Sequence, residues 1–247
     1  MDGLAFLGLA TAGFVAGVVN TLAGGGSFLT VPALVLLGLP GGIANGTNRV
    51  GVLLQTGFAL RRFRSEAVVS LSDALPVLGP VALGSVIGAL VITRVPDAFF
   101  ERAFGVVMIA LWVATWLGNS GKEADTQTPR PASPWRHAAL FGLGLYGGAF
   151  QAGVGLLLLL VLRLTGLDLL RANALKIAVN FCFTLLALPI FIISNQVAWL
   201  PAAVLGGGFA LGGEVGARLA IRGGEKLLRP VLGLAIFALA GHMLGLY

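Results

Sequence analysis

The chain has 247 residues, of which 57% are hydrophobic and only 11% charged, against about 25% charged in an ordinary soluble domain. Its mean hydropathy of +0.95 excludes a water-soluble globule, and it excludes a disordered chain, which needs low hydrophobicity and high charge. The net charge of +6 and pI near 10.4 come without a basic patch interleaved with aromatics, so they belong to loops that flank membrane spans and not to a nucleic-acid surface.

A run of about 20 apolar residues crosses a bilayer as a helix. In chain order the candidate spans are 4–23, 43–60, 73–93, 98–117, 137–153, 172–193, 199–217 and 228–246. Asp2 precedes the first span and no Lys or Arg does. A cleaved signal peptide carries a basic leader, so residues 4–23 read as retained. Two shorter apolar stretches, 28–37 and 156–164, each follow a glycine-rich break: Gly24-Gly25-Gly26 and Gly153-Val154-Gly155. Each reads as the second arm of a hairpin or broken helix, because irregular backbone at membrane depth is tolerated only where protein buries it or it lines a cavity. The expected fold is all-α, a polytopic membrane helical bundle of these spans plus two short broken or re-entrant arms. The longest polar stretch, 118–137, leaves no room for a separate soluble catalytic domain.

The cations set the orientation. Arg61, Arg62 and Arg64 fall in one candidate loop, Lys122, Arg130 and Arg136 in the next, then Arg163 and Arg171, then Arg218, Arg222, Lys226 and Arg229. Placing these groups in the cytoplasm leaves Arg94 and Arg102 in loops on the opposite side, which satisfies the positive-inside rule. Both termini are then expected outside a multi-pass protein of the cell inner (plasma) membrane.

A shift of 128 residues aligns the two halves. Ala82-Leu83-Gly84 falls on Ala210-Leu211-Gly212, Ala44-Asn45 on Ala172-Asn173, and Gly38-Leu39 on Gly166-Leu167, with the glycine breaks in register to within a residue. The expected organisation is a first transmembrane repeat at 1–117, a cytoplasmic linker at 118–136 and a second repeat at 137–247, the halves inverted in the membrane. Inverted repeats interrupted at matching positions point to a secondary transporter whose substrate sits near the midplane.

The residues that could hold a substrate cluster at these features. Asn20-Thr21 precedes Gly24, Gly25, Gly26 and Ser27. Glycines let a ligand approach the backbone, and a helix starting at Ser27 would aim free N–H groups at an anion. Gly25→Leu is expected to abolish transport with the protein still inserted, because bulk would fill that approach path. Asn45 and Asn173 look like N-caps. Asn48 and Arg49 follow the first and Lys176 the second, and the two cations are expected at opposite mouths of a cavity, where they attract an anion. Gln151 adjoins Gly153 and Gly155 and is the best ligand among the polar residues inside apolar segments, Gln55 and Asn180 being the others. Glu214 is the one carboxylate well inside a span, with Arg218 four residues on to pair it. Cys182 is the only cysteine, and no HExxH, CxxC or P-loop pattern occurs, so neither a metal nor a cofactor is expected. The expected partners are a small anionic substrate and the lipid bilayer, with no nucleic acid; a homo-oligomer is left open. Of two rival classes, a passive anion channel would show no trans-stimulation. An intramembrane serine protease would need a base beside Ser27, and His137 and His242 both lie near span ends.

The motifs Phe14-Val15-Ala16-Gly17, Ala23-Gly24-Gly25-Gly26-Ser27, Val31-Pro32 and Ala44-Asn45-Gly46-Thr47-Asn48 resemble the first repeat of the TauE/SafE family, also described as sulfite exporters or the 4-toluene sulfonate uptake permease family. Phe141-Gly142-Leu143-Gly144 with Gly153-Val154-Gly155 resembles the start of its second repeat. The family pattern has a fuller glycine run there, which Val154 interrupts in this chain. The resemblance implies a membrane transporter, not an enzyme, that exports a sulfur-containing anion such as sulfite, sulfoacetate or a related organosulfonate.

Overall fold

The computed structural model describes residues 3–117, 134–163 and 166–243, with the backbone alone at 71–73, 108–117, 134 and 224–243. Among the described residues the regular structure is all α-helix: α1 (Gly3–Leu22), α2 (Ser27–Leu36), α3 (Gly41–Ser65), α4 (Leu71–Ile92), α5 (Asp97–Leu117), α6 (Pro134–Phe150), α7 (Val154–Arg163), α8 (Leu169–Ile193) and α9 (Trp199–Met243). Four stretches, Gly3–Leu22, Ala74–Ile92, Leu169–Ile193 and Trp199–Gly223, are long and apolar enough to cross a bilayer. The chain is a helical membrane bundle, the architecture in which each segment satisfies its own backbone polar groups. The two short arms are α2, starting just after Gly26, and α7, starting within its break directly after Gly153.

The helices depart from the expected boundaries in ways that have local causes. Asn45 and Asn173 lie inside α3 and α8 and cap neither. Pro40, with φ −54°, stands at the N-cap of α3, and the Asp168 carboxylate caps α8 by accepting from the Arg171 N–H at 2.9 Å. Arg61, Arg62 and Arg64 belong to the end of α3, not to a loop, where cations favour the partial negative charge of the helix terminus; Arg62 also pairs with Glu66 at 3.0 Å. The spans expected at 199–217 and 228–246 form one continuous helix, α9. Gly223-Gly224 does not turn the chain, because Arg, Glu, Lys and Leu on either side are strong helix formers. Most of the expected linker, with Lys122 and Arg130, lies outside the described residues, as do the outermost residues of both chain ends.

The 128-residue shift carries α3 onto α8 end to end. It also carries left-handed residues onto left-handed residues: Gly38 (φ 91°) onto Gly166 (φ 85°), and Ala67 (φ 53°) onto Asn195 (φ 55°). Packing exchanges the halves. α1 lies mainly on α9, and α6 mainly on α4. Lipid tails are as apolar as the helices, so close van der Waals contact through small residues must hold such pairs together. Gly84 and Gly212, 128 apart, supply it. A Cβ on Gly84 would fall on the Phe141 carbonyl and 2.7 Å from the Leu145 nitrogen; one on Gly212 would fall on the Phe14 carbonyl and 2.9 Å from the Val18 nitrogen.

The apolar core falls into two clusters, one around Phe63, Leu158, Leu162 and Phe183, the other around Leu34, Phe100, Phe191 and Phe209. α1 passes from the second to the first through Asn20 and Thr21, and α3 does so through Gln55. A layer of buried polar side chains thus separates two apolar cores.

Replacing Gly212 or Gly84 with Val is expected to cost about 1–3 kcal/mol or more through overpacking and to lower the melting temperature in detergent, followed by fluorescence size-exclusion. Gly207→Ala, with nothing within 4 Å of its added Cβ, should be neutral or gain up to about 1 kcal/mol of helix propensity. Equal melting of Gly212→Val and the parent chain would mean that these helices do not approach so closely.

Candidate substrate site at the crossing of two broken helices

The two glycine breaks meet. A Cβ on Gly24 would fall on the Leu156 nitrogen and 2.8 Å from the Gly155 Cα; one on Gly155 would lie 2.9 Å from the Gly24 Cα. Gly24 has φ 96° and Gly153 φ 71°, conformations in which any side chain is strained. Gly26 is equally tight, since a Cβ there would strike the Ala16 carbonyl. Gly25 is not: its Cβ would meet only the Phe28 ring, at 3.7 Å. The intolerant positions are therefore Gly24 and Gly26, and Gly25 is the open one, because it points away from the crossing that its neighbours fill. The start of α2 is partly spent, with the Phe28 and Leu29 N–H groups turned back onto the Gly25 and Gly26 carbonyls at 3.1 Å each.

Each break leaves helix-end carbonyls without an intrahelical donor. The Gly24 N–H returns to the Val19 carbonyl, and Lys176 Nζ donates to the Asn20 and Thr21 carbonyls at 3.2 and 3.1 Å. At the end of α6, Arg49 Nη2 donates to the Gly147 and Gly148 carbonyls at 3.2 and 2.5 Å, and Asn45 Nδ2 to the Ala149 carbonyl at 2.7 Å. A cation from each half thus closes the broken helix of the other, where the helix dipole also favours positive charge. Both side chains are 0% exposed. Neither stands at a cavity mouth, as the sequence suggested, and neither snorkels to an interface. Their positions along α3 and α8 turn them inward, against the crossing. The Arg49 guanidinium also lies over the Phe191 ring, 4.3 Å from its centroid, a favourable cation–π contact.

Gln151 holds φ 62°, a conformation that costs a non-glycine residue roughly 1–3 kcal/mol. Its side chain is tied on every side. Oε1 accepts from Arg49 Nη1 at 2.7 Å, and Nε2 donates to Asn180 Oδ1 at 3.1 Å and Thr184 Oγ1 at 3.0 Å. Asn20 Nδ2 donates to Gln55 Oε1 at 2.6 Å, and Gln55 Nε2 to Thr21 Oγ1 at 2.7 Å. Asn48 Nδ2 donates to Ser27 Oγ at 3.0 Å and accepts from Thr30 Oγ1 at 2.6 Å. Ser27 therefore faces an amide and not a base; His137 lies exposed in the first turn of α6. Thr30 and Thr184 escaped the sequence reading, although each stands one helical turn from a residue it singled out, Ser27 and Asn180. Glu214 accepts from Arg218 Nε at 2.8 Å and takes no part in the site.

Some capacity is left over. The buried Asn173 has neither amide atom partnered, and Arg49 Nε and Asn45 Oδ1 are likewise without partners. Lys176 has three hydrogens and spends two. The spare donors are Arg49 Nε–H, the third Lys176 N–H and the Asn173 amide, and no carboxylate is buried among the described residues.

A family model described as the sulfite exporter TauE/SafE matches residues 9–243. The chain belongs to the TauE/SafE family. Similar curated relatives are the probable membrane transporter protein ORF9 of a Sinorhizobium species, 31% identical over 98% of this chain and 92% of its own; a probable membrane transporter protein of Haemophilus influenzae, 30% identical over 94% and 91%; and the probable membrane transporter protein YfcA of Escherichia coli K12, 30% identical over 88% and 81%. No solved structure matches the chain. As a TauE/SafE member it is a multi-pass membrane transporter, and its glycine breaks lie within the matched region.

Gly24→Ala is expected to reduce transport at least tenfold with the protein still inserted, because the Cβ separates the two breaks; Gly25→Ala should stay within twofold. Uptake measured at equal reconstituted amounts decides. Equal effects from both would mean that the crossing does not depend on backbone contact.

Proposed function

We propose that this TauE/SafE transporter exports a small sulfur-containing anion, such as sulfite, sulfoacetate or another organosulfonate, by alternating access about the crossing of its two glycine breaks. The observation that carries the reading is the pair of buried cations with no buried carboxylate among the described residues. Moving an uncompensated charge into an apolar interior is costly, and Arg49 and Lys176 find neutral carbonyls and amides and, for Arg49, one aromatic face. A bound anion would neutralise them and take up the spare donors. The resemblance to sulfite exporters supplies the sulfur chemistry.

The residues assigned to the site are Asn20, Thr21, Gly24, Gly25, Gly26, Ser27, Asn45, Asn48, Arg49, Gln151, Gly153, Gly155, Asn173 and Lys176. Arg49, Lys176 and Asn173 would touch the anion, and the rest would hold the breaks in shape. The two halves, 1–117 and 137–247, would act as inverted repeats, a reading supported by the reciprocal cation contacts and the matched left-handed turns. Export needs no coupling ion: an inside-negative potential gives each outgoing negative charge about 2.3 kcal/mol per 100 mV.

Counterflow in proteoliposomes tests this across sulfite, sulfoacetate, sulfate and carboxylates. Trans-stimulated flux of a sulfur-containing anion is expected, with Arg49→Gln and Lys176→Gln each reducing it tenfold or more. Flux without trans-stimulation would replace the transporter by a channel, and preference for a cation would overturn the reading.

A further inference from the structure

The two ends of the α3–α8 pair are in different states. At one end the turn after α8 is fastened to the start of α3. Ala198 N–H donates to Thr47 Oγ1 at 3.0 Å, Gln196 Nε2 donates to the Thr93 carbonyl at 3.0 Å, and the Gly42 N–H donates to Asp97 Oδ1 at 2.7 Å. Gly46 is pressed against the Gln196 carbonyl, with no room for a Cβ. Behind these bonds, Phe100 stacks on Phe150 at 5.8 Å and Phe104 packs on Phe28 at 6.4 Å, covering residues that flank both breaks.

At the other end lies a cavity of about 610 Å³, lined by the turn after α3 together with Leu162, Arg136 and Leu175 among others. The 128-residue shift relates the two ends residue by residue. It carries Val68 onto Gln196, Ser70 onto Ala198 and Thr47 onto Leu175. Val68, Ser70 and Leu175 all line the cavity, so the positions that fasten one end border open space at the other. The turns themselves match, with Ala67 and Asn195 left-handed alike. The chemistry differs: Leu175 has no hydroxyl and Val68 no amide, so closure at the cavity end would be made by apolar contact. Leu175 is the residue before Lys176 on α8, and Arg136 and Arg171 both line the cavity, so its wall carries positive charge that would draw an anion in.

We infer that the cavity is the entrance open in this structure, and that Gln196, Thr47 and Asp97 latch the opposite entrance shut. The inference rests on the alternating access proposed above and assigns its gates. In turnover the latch bonds break, and the turn at Ala67–Ser70 closes over Leu175.

The test uses the full chain with Cys182→Ala as background. Oxidising Thr47→Cys with Ala198→Cys should fix the latch, reduce transport at least tenfold, and leave Val68→Cys open to a charged maleimide; a reductant should restore transport. Removing the latch with Gln196→Ala and Thr47→Val should shift the population toward closure at the cavity and slow labelling of Val68→Cys severalfold. Transport by the bridged protein at its reduced-state rate would overturn the inference, as would labelling that ignores loss of the latch. Labelling needs no substrate. A chain that moves none of the anions above, yet shows the expected labelling shift, would refute the substrate reading and leave the gates standing.

Discussion

Two cations, each reaching across to the broken helix of the other half, are the constraint on which the rest of the molecule depends. A helix interrupted at membrane depth leaves carbonyls that no water can satisfy. Arg49 and Lys176 satisfy them, and Asn45 completes the second set. The solution creates a second problem, because it buries positive charge in a bundle whose described interior holds no carboxylate. Neutral acceptors and one aromatic face offset part of that cost. The remainder is the physical argument for the anion proposed at the crossing, and under that proposal it ties the backbone break, a structural feature, to the choice of ligand.

The same exchange between halves shapes the packing. α1 rests on α9 and α6 on α4 through glycines that allow backbone contact, so neither half buries its first helix alone. Movement that opens one end of the bundle must then carry each broken helix together with a helix of the opposite half. The polar layer lies between the two apolar cores, and its network of amides and hydroxyls holds Gln151 at its positive φ.

Much of this was legible in the sequence, for reasons that differ by feature. The spans and short arms follow from hydropathy and length, and the breaks from glycine runs whose conformational role is intrinsic to the residue. The repeat was visible because small residues and turn positions recur at one spacing, and the φ values of Gly38, Gly166, Ala67 and Asn195 agree with it. What failed depended on tertiary neighbours. Asn45 and Asn173 have the chemistry of caps, but Pro40 and Asp168 stand at the N-caps five residues earlier. Arg49 and Lys176 looked like surface attractants because their partners are backbone carbonyls from the other half, which carry no side-chain signature. Bulk at Gly25 was expected to fill the backbone approach path, whereas contact with Gly155 falls on Gly24. Two spans merged into α9 because a glycine pair yields when strong helix formers surround it.

Anion-dependent stability of the chain with a carboxylate placed inside the site tests the buried charge most directly. Gln151→Glu sets a negative group where Oε1 now accepts from Arg49 at 2.7 Å. The parent protein should gain melting temperature saturably as sulfite or an organosulfonate is titrated, by linkage of binding to folding. Gln151→Glu should melt higher without ligand and respond little or not at all. An unchanged anion response in Gln151→Glu, or a parent protein indifferent to every anion tested, would contradict the account.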